Sequence, residues 1–558
     1  MQNHQQGNRL SWGDTVFLHL EREGMPLNVA CVSVLEGEIR FKDCLQFIES
    51  KLALIPHLVK RVVAPPLNLG LPSWEYDPNF DIRNHVREVT LKHGTDTELK
   101  ALAGKIVSTV LDRQHPLWDI TFVYGLKGDG LKGDGPKGKR SAFILRMHHC
   151  MADGIAGVGM MTKLLDASPL APPLPKKKVR FRVPPPRDAI NSLLDGVVSS
   201  YGDFVKRILS AWADLLNMAE RAAANGGTLA PTDEFSRLLP EITAFTERIR
   251  FNVNYRGPQK VAWADIPLED VKAVKQTCGA SVNDVILALV TATVRRYQEH
   301  HGERVKGRLL RMMVPVNLRG SDSPGELGNR ISLVPVTIPL DIRNPLKLLA
   351  AVHQRTEFLK RSHAAELVSL AGGLIGMFPT SMQALAGPVL SQLPITPFNL
   401  VCTNVPGPQY PLYLLGHKML RWYPYVPVGG EMAVNCAILS YDGTVYFGFG
   451  GDVHAAPDLR RLEAFLKTSF EELREAAGVT PPRKSEKKVR AKTQEVKPPR
   501  QSGKKVRAKT QEASQPAPEP AATVRVSIPL TVPPLPVKLA QASPPTAEQE
   551  KVLTQMVA

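Results

Sequence analysis

SAFILRMHHCMADGIAGVGMMTKLLD, residues 141–166, is the stretch from which the rest of the chain can be organised. Its first part, SAFILRMHHC, is an apolar run of strand length that ends at two adjacent histidines; its second, GIAGVGMMTKLLD, starts a helix. A buried strand therefore delivers His148 and His149 to a loop, and a helix follows. With Asp153 and Gly154 the loop spells HHxxxDG. Imidazole changes charge near neutral pH, so a histidine held in a cleft can take the proton of a hydroxyl. That oxygen could then attack an activated acyl group such as a thioester, with no protein nucleophile needed. Asp153, beside a glycine turn, suits fixing the loop through an ion pair. By itself the pattern fits three readings: a catalytic pair, a buried structural pair, or two metal ligands. No third His, Cys or acid sits at ligand spacing nearby, so no metal site is expected. Cys150 carries no feature that would depress its pKa, and it is set aside as a nucleophile.

Outward from this stretch, the first 175 residues read as mixed α/β. NVACVSVLEG (28–37) is a β-rich run, and FKDCLQFIESKLALI (41–55) has apolar residues at helical spacing. A second α/β unit follows from 246 to 478. There SVNDVILALVTATVRRY opens with Ser281-x-x-Asp284, a capping-box-like helix start. MMVPVNLR, ISLVPVTIPL, MAVNCAILSY and TVYFGFGG read as strands. Between the units, 176–245 is a linker: basic and Pro-rich at APPLPKKKVRFRVPPPR (171–187), then helix-prone. From 479 onward the chain is a low-complexity tail in which KKVRAKTQE occurs at 487–495 and again at 504–512.

The net charge of +17 suggests nucleic acid until it is mapped. Residues 481–512, the stretch Lys176 to Arg187 and the LKGDG-repeat loop Lys127 to Arg140 carry +9, +6 and +3, which is the whole excess. The folded body is near neutral, and the basicity lies in appendages. The tail reads either as a solvated disordered extension or as an attachment to anionic lipid or nucleic acid. Six cysteines without CxxC spacing point to reduced thiols in the cytoplasm. No run of ~20 apolar residues predicts a spanning helix. No Asp, Glu, Lys or Arg occurs between Glu366 and Lys418, which fits a buried core or an apolar groove for a greasy substrate.

Several motifs together carry a resemblance. LSWGDTVFLHLE (10–21), HPLWDI (115–120), HHCMADG (148–154), SVNDV (281–285), LGNRISLVPV (327–336) and NVPGPQYPLYLLGHKM (404–419) stand in the order found in the bacterial wax ester synthase/acyl-CoA:diacylglycerol acyltransferases. The chain resembles that family over residues 8 to 475. The family belongs to the CoA-dependent acyltransferase superfamily, with chloramphenicol acetyltransferase and peptide-synthetase condensation domains. One departure is Leu27-Asn28-Val29 where the family usually has Met-His-Val.

The resemblance implies an α/β (α+β sandwich) architecture: two chloramphenicol-acetyltransferase-like domains, a helical linker and an active-site tunnel between them. It implies that His149 is the general base on the acceptor alcohol and that His148 supports it. Asp153 and Gly154 would shape the loop. Pro116, Leu117 and Trp118 would line the substrate passage, with Asn283 and Asp284 facing the same cleft. The implied reaction joins a fatty acyl-CoA to diacylglycerol or a long-chain alcohol, giving triacylglycerol or wax ester, with acyl-CoA as substrate and no cofactor. Such substrates imply a peripheral enzyme at the inner face of the cell membrane and on lipid droplets. The alternatives are a condensation-type transferase on carrier-protein thioesters, or a non-catalytic lipid-droplet or nucleoid tethering protein.

Overall fold

The computed structural model describes residues 9–128, 139–170, 246–317, 331–362 and 398–480, together with Met382, Leu385 and Ala386. The repeat of the glycine–lysine loop, the basic linker and its helices, most of the uncharged stretch, the start of the LGNRIS segment and the tail lie outside the described residues. The described residues fall in one compact unit, Met1–Lys484.

Two six-stranded sheets carry the unit. The first contains β1 (Asn28–Glu36), β4 (Val86–Thr90), β5 (Trp118–Lys127) and β6 (Lys139–His148). To these it adds β11 (Tyr413–Leu414) and β12 (His417–Tyr425), in the order β11-β12-β1-β6-β5-β4. The second contains β7 (Gln259–Pro267), β8 (Leu309–Asn317), β9 (Ile331–Pro339), β10 (Leu400–Pro406), β13 (Val434–Tyr441) and β14 (Thr444–Asp452), in the order β7-β14-β13-β10-β8-β9. A short hairpin, β2 (Lys60–Val63) and β3 (Ser73–Tyr76), stands apart. The helices are α1 (Trp12–Leu20), α2 (Phe41–Lys51), α3 (Asp96–Val107), α4 (Gly154–Leu164), α5 (Leu268–Cys278), α6 (Val282–His300), α7 (Pro345–Arg361) and α8 (Arg461–Ala476). The strands and helices expected around the HHxxxDG stretch are therefore β6 and α4, and the capping-box helix is α6.

Central β6 is buried from Arg140 to His148, as its nearly unbroken apolar run requires. The cation in the middle of its apolar run, Arg146, is neutralised by Asp119 on β5 and also donates from Nη1 to Ile106 O at 2.6 Å and Thr109 O at 2.8 Å. A buried guanidinium survives there because its donors and charge are both matched.

The expected division at residue 246 does not follow the strands. β11 and β12, from the part of the chain assigned to the second unit, complete the first sheet. β12 pairs antiparallel with β1, Ala30 opposite Tyr425 and Val32 opposite Tyr423. This pairing covers what would otherwise be an open edge of β1. It also puts Met419, Trp422, Tyr423 and Tyr425 into the first core. Neighbourhood along the chain could not reveal that exchange. β12 also presses on β14 of the second sheet. A Cβ at Gly448 would overlap the Pro424 carbonyl oxygen, so only glycine permits the crossing there. Lys100 on α3 adds a further tie: its ammonium lies 4.9 Å from the Trp263 ring of β7 and 2.8 Å from Glu463 of α8.

Among the described residues no single helix is long and apolar enough to cross a membrane. The bent pair α5 and α6 has the length and composition but supplies much of the second core instead.

Candidate active site

The last residue of β6 is His148, and its backbone N–H donates to Leu117 O at 2.9 Å. The next N–H, of His149, donates to Leu27 O at 2.9 Å. The pair is thus held by two neighbouring segments before any side chain is considered.

His148 is fully buried. Its Nδ1 accepts from Cys150 N–H at 3.1 Å, which leaves the ring proton on Nε2, 3.5 Å from Glu21 Oε1. Burial, then the Arg113 and His149 charges, push its pKa well below the usual value, so it is neutral at pH 7. His149 is half-buried, and its ring stacks on Phe17 with centroids 4.0 Å apart and planes within 6°. Burial lowers its pKa, while its own backbone and the Asp153 charge partly oppose the shift. The result is an unprotonated imidazole whose protonated form is stabilised by a carboxylate close by. These are the properties of a general base.

The helix facing the pair is α1, and its residues explain the opening segment LSWGDTVFLHLE. Ser11 caps it: Oγ accepts from Asp14 N–H at 3.0 Å and donates to Asp14 Oδ2 at 2.7 Å. Asp14, Phe17, Leu18 and Glu21 follow at helical spacing along one stripe. Phe17 reaches His149. Glu21 Oε1 accepts from Leu27 N–H at 3.0 Å, and Oε2 accepts from Arg113 Nη2 at 3.1 Å. Arg113 also donates to Leu18 O at 2.7 Å. Glu21 therefore anchors the segment whose Leu27 carbonyl holds His149. Phe17, Glu21 and Arg113 were not among the residues singled out from sequence. The signal for the first two was the i, i+3, i+4, i+7 spacing in 14–21; Arg113 had none.

Asp153 is the N-cap of α4: Oδ1 accepts from Ala156 N–H at 2.7 Å, and the residue is buried. Gly154 opens the helix against the second sheet. A Cβ there would lie 2.6 Å from Val405 Cγ2, so glycine lets the loop touch β10. The next residue along β10, Asn404, donates from Nδ2 to Asn283 Oδ1 at 3.3 Å. HHxxxDG, the asparagine of the ND pair and the start of NVPGP thus meet at the seam between the sheets.

Two expectations change. Asp284 does not face this seam. It is fully buried, and its carboxylate accepts from Ser281 N–H at 2.8 Å, Thr356 Oγ1 at 2.6 Å and His353 Nδ1 at 2.9 Å. Its work is to close the capping box of α6 and tie that helix to α7. Pro116, Leu117 and Trp118 are buried too. Trp118 Nε1 donates to Leu58 O at 2.7 Å, and its ring stacks on His85 at 4.7 Å. These residues hold the first core and, through Leu117 O, the backbone of His148. Asn28, at the departure from the family pattern, donates to Thr109 O at 2.8 Å. Cys150 is buried, and burial followed by the Asp14 and Glu21 charges raises its thiol pKa well above the usual value, which leaves it inert as a nucleophile.

Comparison with known proteins places the chain in a family. The wax ester synthase/diacylglycerol acyltransferase catalytic domain matches residues 10–286, and the C-terminal domain of the same family matches 327–474. Two probable diacylglycerol O-acyltransferases of Mycobacterium tuberculosis are each 28% identical, over 463 and 483 residues. These alignments cover 82% and 84% of this chain and 93% and 98% of the relatives. The wax ester synthase/diacylglycerol acyltransferase of Marinobacter aquaeolei VT8 superposes with a TM-score of 0.58 at 22% identity, over 84% of this chain and all of that one. The first condensation domain of the CDA synthetase shares the fold, with a TM-score of 0.52 at 14% identity over 84% of this chain and 96% of its own. With two matched domains in the family's order around one His pair, this chain is an acyltransferase and belongs to the wax ester synthase/diacylglycerol acyltransferase family.

Proposed function

We propose that the protein transfers the acyl group of a fatty acyl-CoA to the hydroxyl of diacylglycerol or of a long-chain alcohol, with His149 as general base. The observation that carries this reading is the half-buried His149 imidazole at the end of β6, stacked on Phe17, where burial lowers its pKa and the Asp153 charge lies nearby. In the proposed step His149 takes the proton of the acceptor hydroxyl as its oxygen attacks the thioester carbonyl carbon. The tetrahedral intermediate collapses with cleavage of the C–S bond. The CoA thiolate leaves and recovers the proton from the imidazolium, so the ester, CoA thiol and a neutral His149 result. Asp153 favours the transient imidazolium electrostatically. His148 does no proton transfer; its neutral ring and backbone fix the loop.

Substrates of this kind partition into lipid. The reading therefore places a cytoplasmic enzyme peripherally on the inner membrane face and lipid droplets, with the basic tail as its attachment to anionic lipid. The step needs acyl-CoA as substrate and no further cofactor.

The test is thiol release from palmitoyl-CoA by the purified chain, offered hexadecanol and dioleoylglycerol separately, with His149→Ala alongside. Release that needs both the alcohol and His149 supports the proposal, and the ratio of the two rates names the main product. Full activity in His149→Ala overturns the base assignment. No release with either alcohol from the folded protein turns the reading toward a carrier-protein thioester or a tethering role.

A further inference from the structure

At the end of α6 remote from the seam, three side chains converge that the acyl-transfer reading does not use. His300 is the last residue of the helix and His301 its C-cap. Asp458 lies just before α8. His301 Nε2 stands 3.2 Å from Asp458 Oδ1 and His300 Nε2 4.0 Å from Asp458 Oδ2; one ligand atom from each residue lies within 4.8 Å of the others. Tyr297, one turn earlier on α6, donates its hydroxyl to Asp458 Oδ1 at 2.6 Å. Arg461 Nε approaches Oδ2 at 3.0 Å from a half-exposed side chain.

We propose that His300, His301 and Asp458 form a binding site for a divalent transition-metal ion, zinc foremost, which staples the C-terminus of α6 to the start of α8. Two imidazole nitrogens and one carboxylate oxygen are a ligand set that borderline ions take, with water in the fourth position. Tetrahedral bonds of about 2.0–2.1 Å separate neighbouring ligand atoms by roughly 3.3–3.4 Å. The His301–Asp458 distance already meets this. His300, at 38% side-chain exposure, has room to turn the ångström or so that would bring its ring nitrogen to ligand spacing. The Tyr297 hydroxyl supplies the outer hydrogen bond that orients a ligating carboxylate. The negative end of the α6 dipole favours a cation there, and the Arg461 guanidinium already approaches the same carboxylate. Sequence spacing gives no warning of the site, because Asp458 is 157 residues from His301. The expectation of no metal site rested on neighbours along the chain around His148 and His149.

The site is separated from Asn283 by 17 residues of α6, or about 25 Å of helix. It is therefore structural, and removing it leaves acyl transfer unchanged. The test uses the full chain, stripped with chelator and titrated with zinc chloride in a calorimeter. His300→Ala and His301→Ala are carried in parallel, and thermal unfolding is followed with and without zinc. The wild type is expected to hold one zinc equivalent that weakens at least tenfold in each variant. Zinc should raise the unfolding temperature of the wild type and of neither variant. Thiol release by the zinc-free variants should equal that of the zinc-free wild type. Unchanged stoichiometry and affinity in both variants, or no zinc bound by the wild type, overturns the proposal. His300→Ala removes a half-exposed side chain and so tests the site without disturbing the core.

Discussion

Replacing Asp284 by alanine separates a structural residue from a substrate-contacting one. The carboxylate receives three bonds: from Ser281 N–H, Thr356 Oγ1 and His353 Nδ1. Losing the bond to Ser281 removes half of the capping box that starts α6, a loss of about 1 kcal/mol. The buried Thr356 hydroxyl keeps a second acceptor, His353 O at 3.0 Å, so its loss is also of order 1 kcal/mol rather than that of an orphaned donor. His353 is 39% exposed, and water replaces its partner at little cost. The sum is about 2 kcal/mol, which in a protein of this size lowers the unfolding temperature by roughly 2–3 °C. Because Asp284 sits behind the helix and not at the seam, kcat for thiol release below the melting range should stay within about twofold of wild type. The pH dependence adds a second check. Burial alone would raise the Asp284 carboxyl, but the bonds from Thr356, His353 and Ser281 outweigh it and hold the folded pKa below the usual value. A folded pKa below the unfolded one means that the unfolded chain binds the proton more readily. The stabilisation is therefore present above about pH 4 and fades as pH falls through the folded value. The stability gap between wild type and Asp284→Ala should narrow below pH 4. An unchanged unfolding temperature with thiol release lost tenfold or more would refute the reasoning and return Asp284 to the substrate passage.

Three further outcomes follow from the same geometry. His149 must be unprotonated to act, and its folded pKa lies below 6.5, so kcat/KM should hold through pH 6.5 on descent and fall only below it; Asp153→Asn, which keeps the helix cap but removes the charge that raises His149, should move that limb to still lower pH. Phe17→Ala removes the stack on His149, worth about 0.5–1.5 kcal/mol, and should lower kcat by roughly 2- to 12-fold with little change in KM; an unaltered kcat would show that the ring is held without it. Gly448→Ala drives a methyl group into the Pro424 carbonyl where β12 crosses β14, and should leave little soluble folded protein at 37 °C, whereas near-wild-type yield and unfolding temperature would mean that the two strands can separate without loss.

What the sequence revealed about this fold was local in origin. The strand before His148 and the helix after Asp153 are contiguous and periodic, so β6 and α4 could be read directly. The capping box of Ser281 and Asp284 was likewise complete within four residues. What escaped was non-local or turned on orientation. β12 pairs with a strand nearly 400 residues earlier in the chain, and no periodicity encodes a partner. Arg113 reaches Glu21 across 92 residues, and a lone arginine in a loop gives no hint of it. The misplacement of Asp284 has a different cause. A motif marks residues that stand together in sequence, but neighbours on a helix point about 100° apart. Asn283 therefore turns to Asn404 at the seam while Asp284 turns inward to α7.

The same distinction applies to the whole site. Of the residues brought together by the motifs, His149 is the one proposed here to take the proton, and the others hold it in place. Leu117 and Leu27 hold the pair by carbonyls, Glu21 holds Leu27, Gly154 admits Val405, and Trp118 fixes the strand alongside. The exchange of β12 binds this assembly together. Because β12 is hydrogen-bonded to β1 and also crosses β14, the first sheet packs directly on the second through this strand, and parting the sheets would give up the close approach of Gly448 to the Pro424 carbonyl while the β1–β12 ladder stayed whole. The closeness of the sheets also sets the environment of the proposed base: a site opened to water would let the His149 pKa rise toward its ordinary 6.5, which leaves most of the imidazole unprotonated at pH 7 but moves the acid limb of kcat/KM up toward that value.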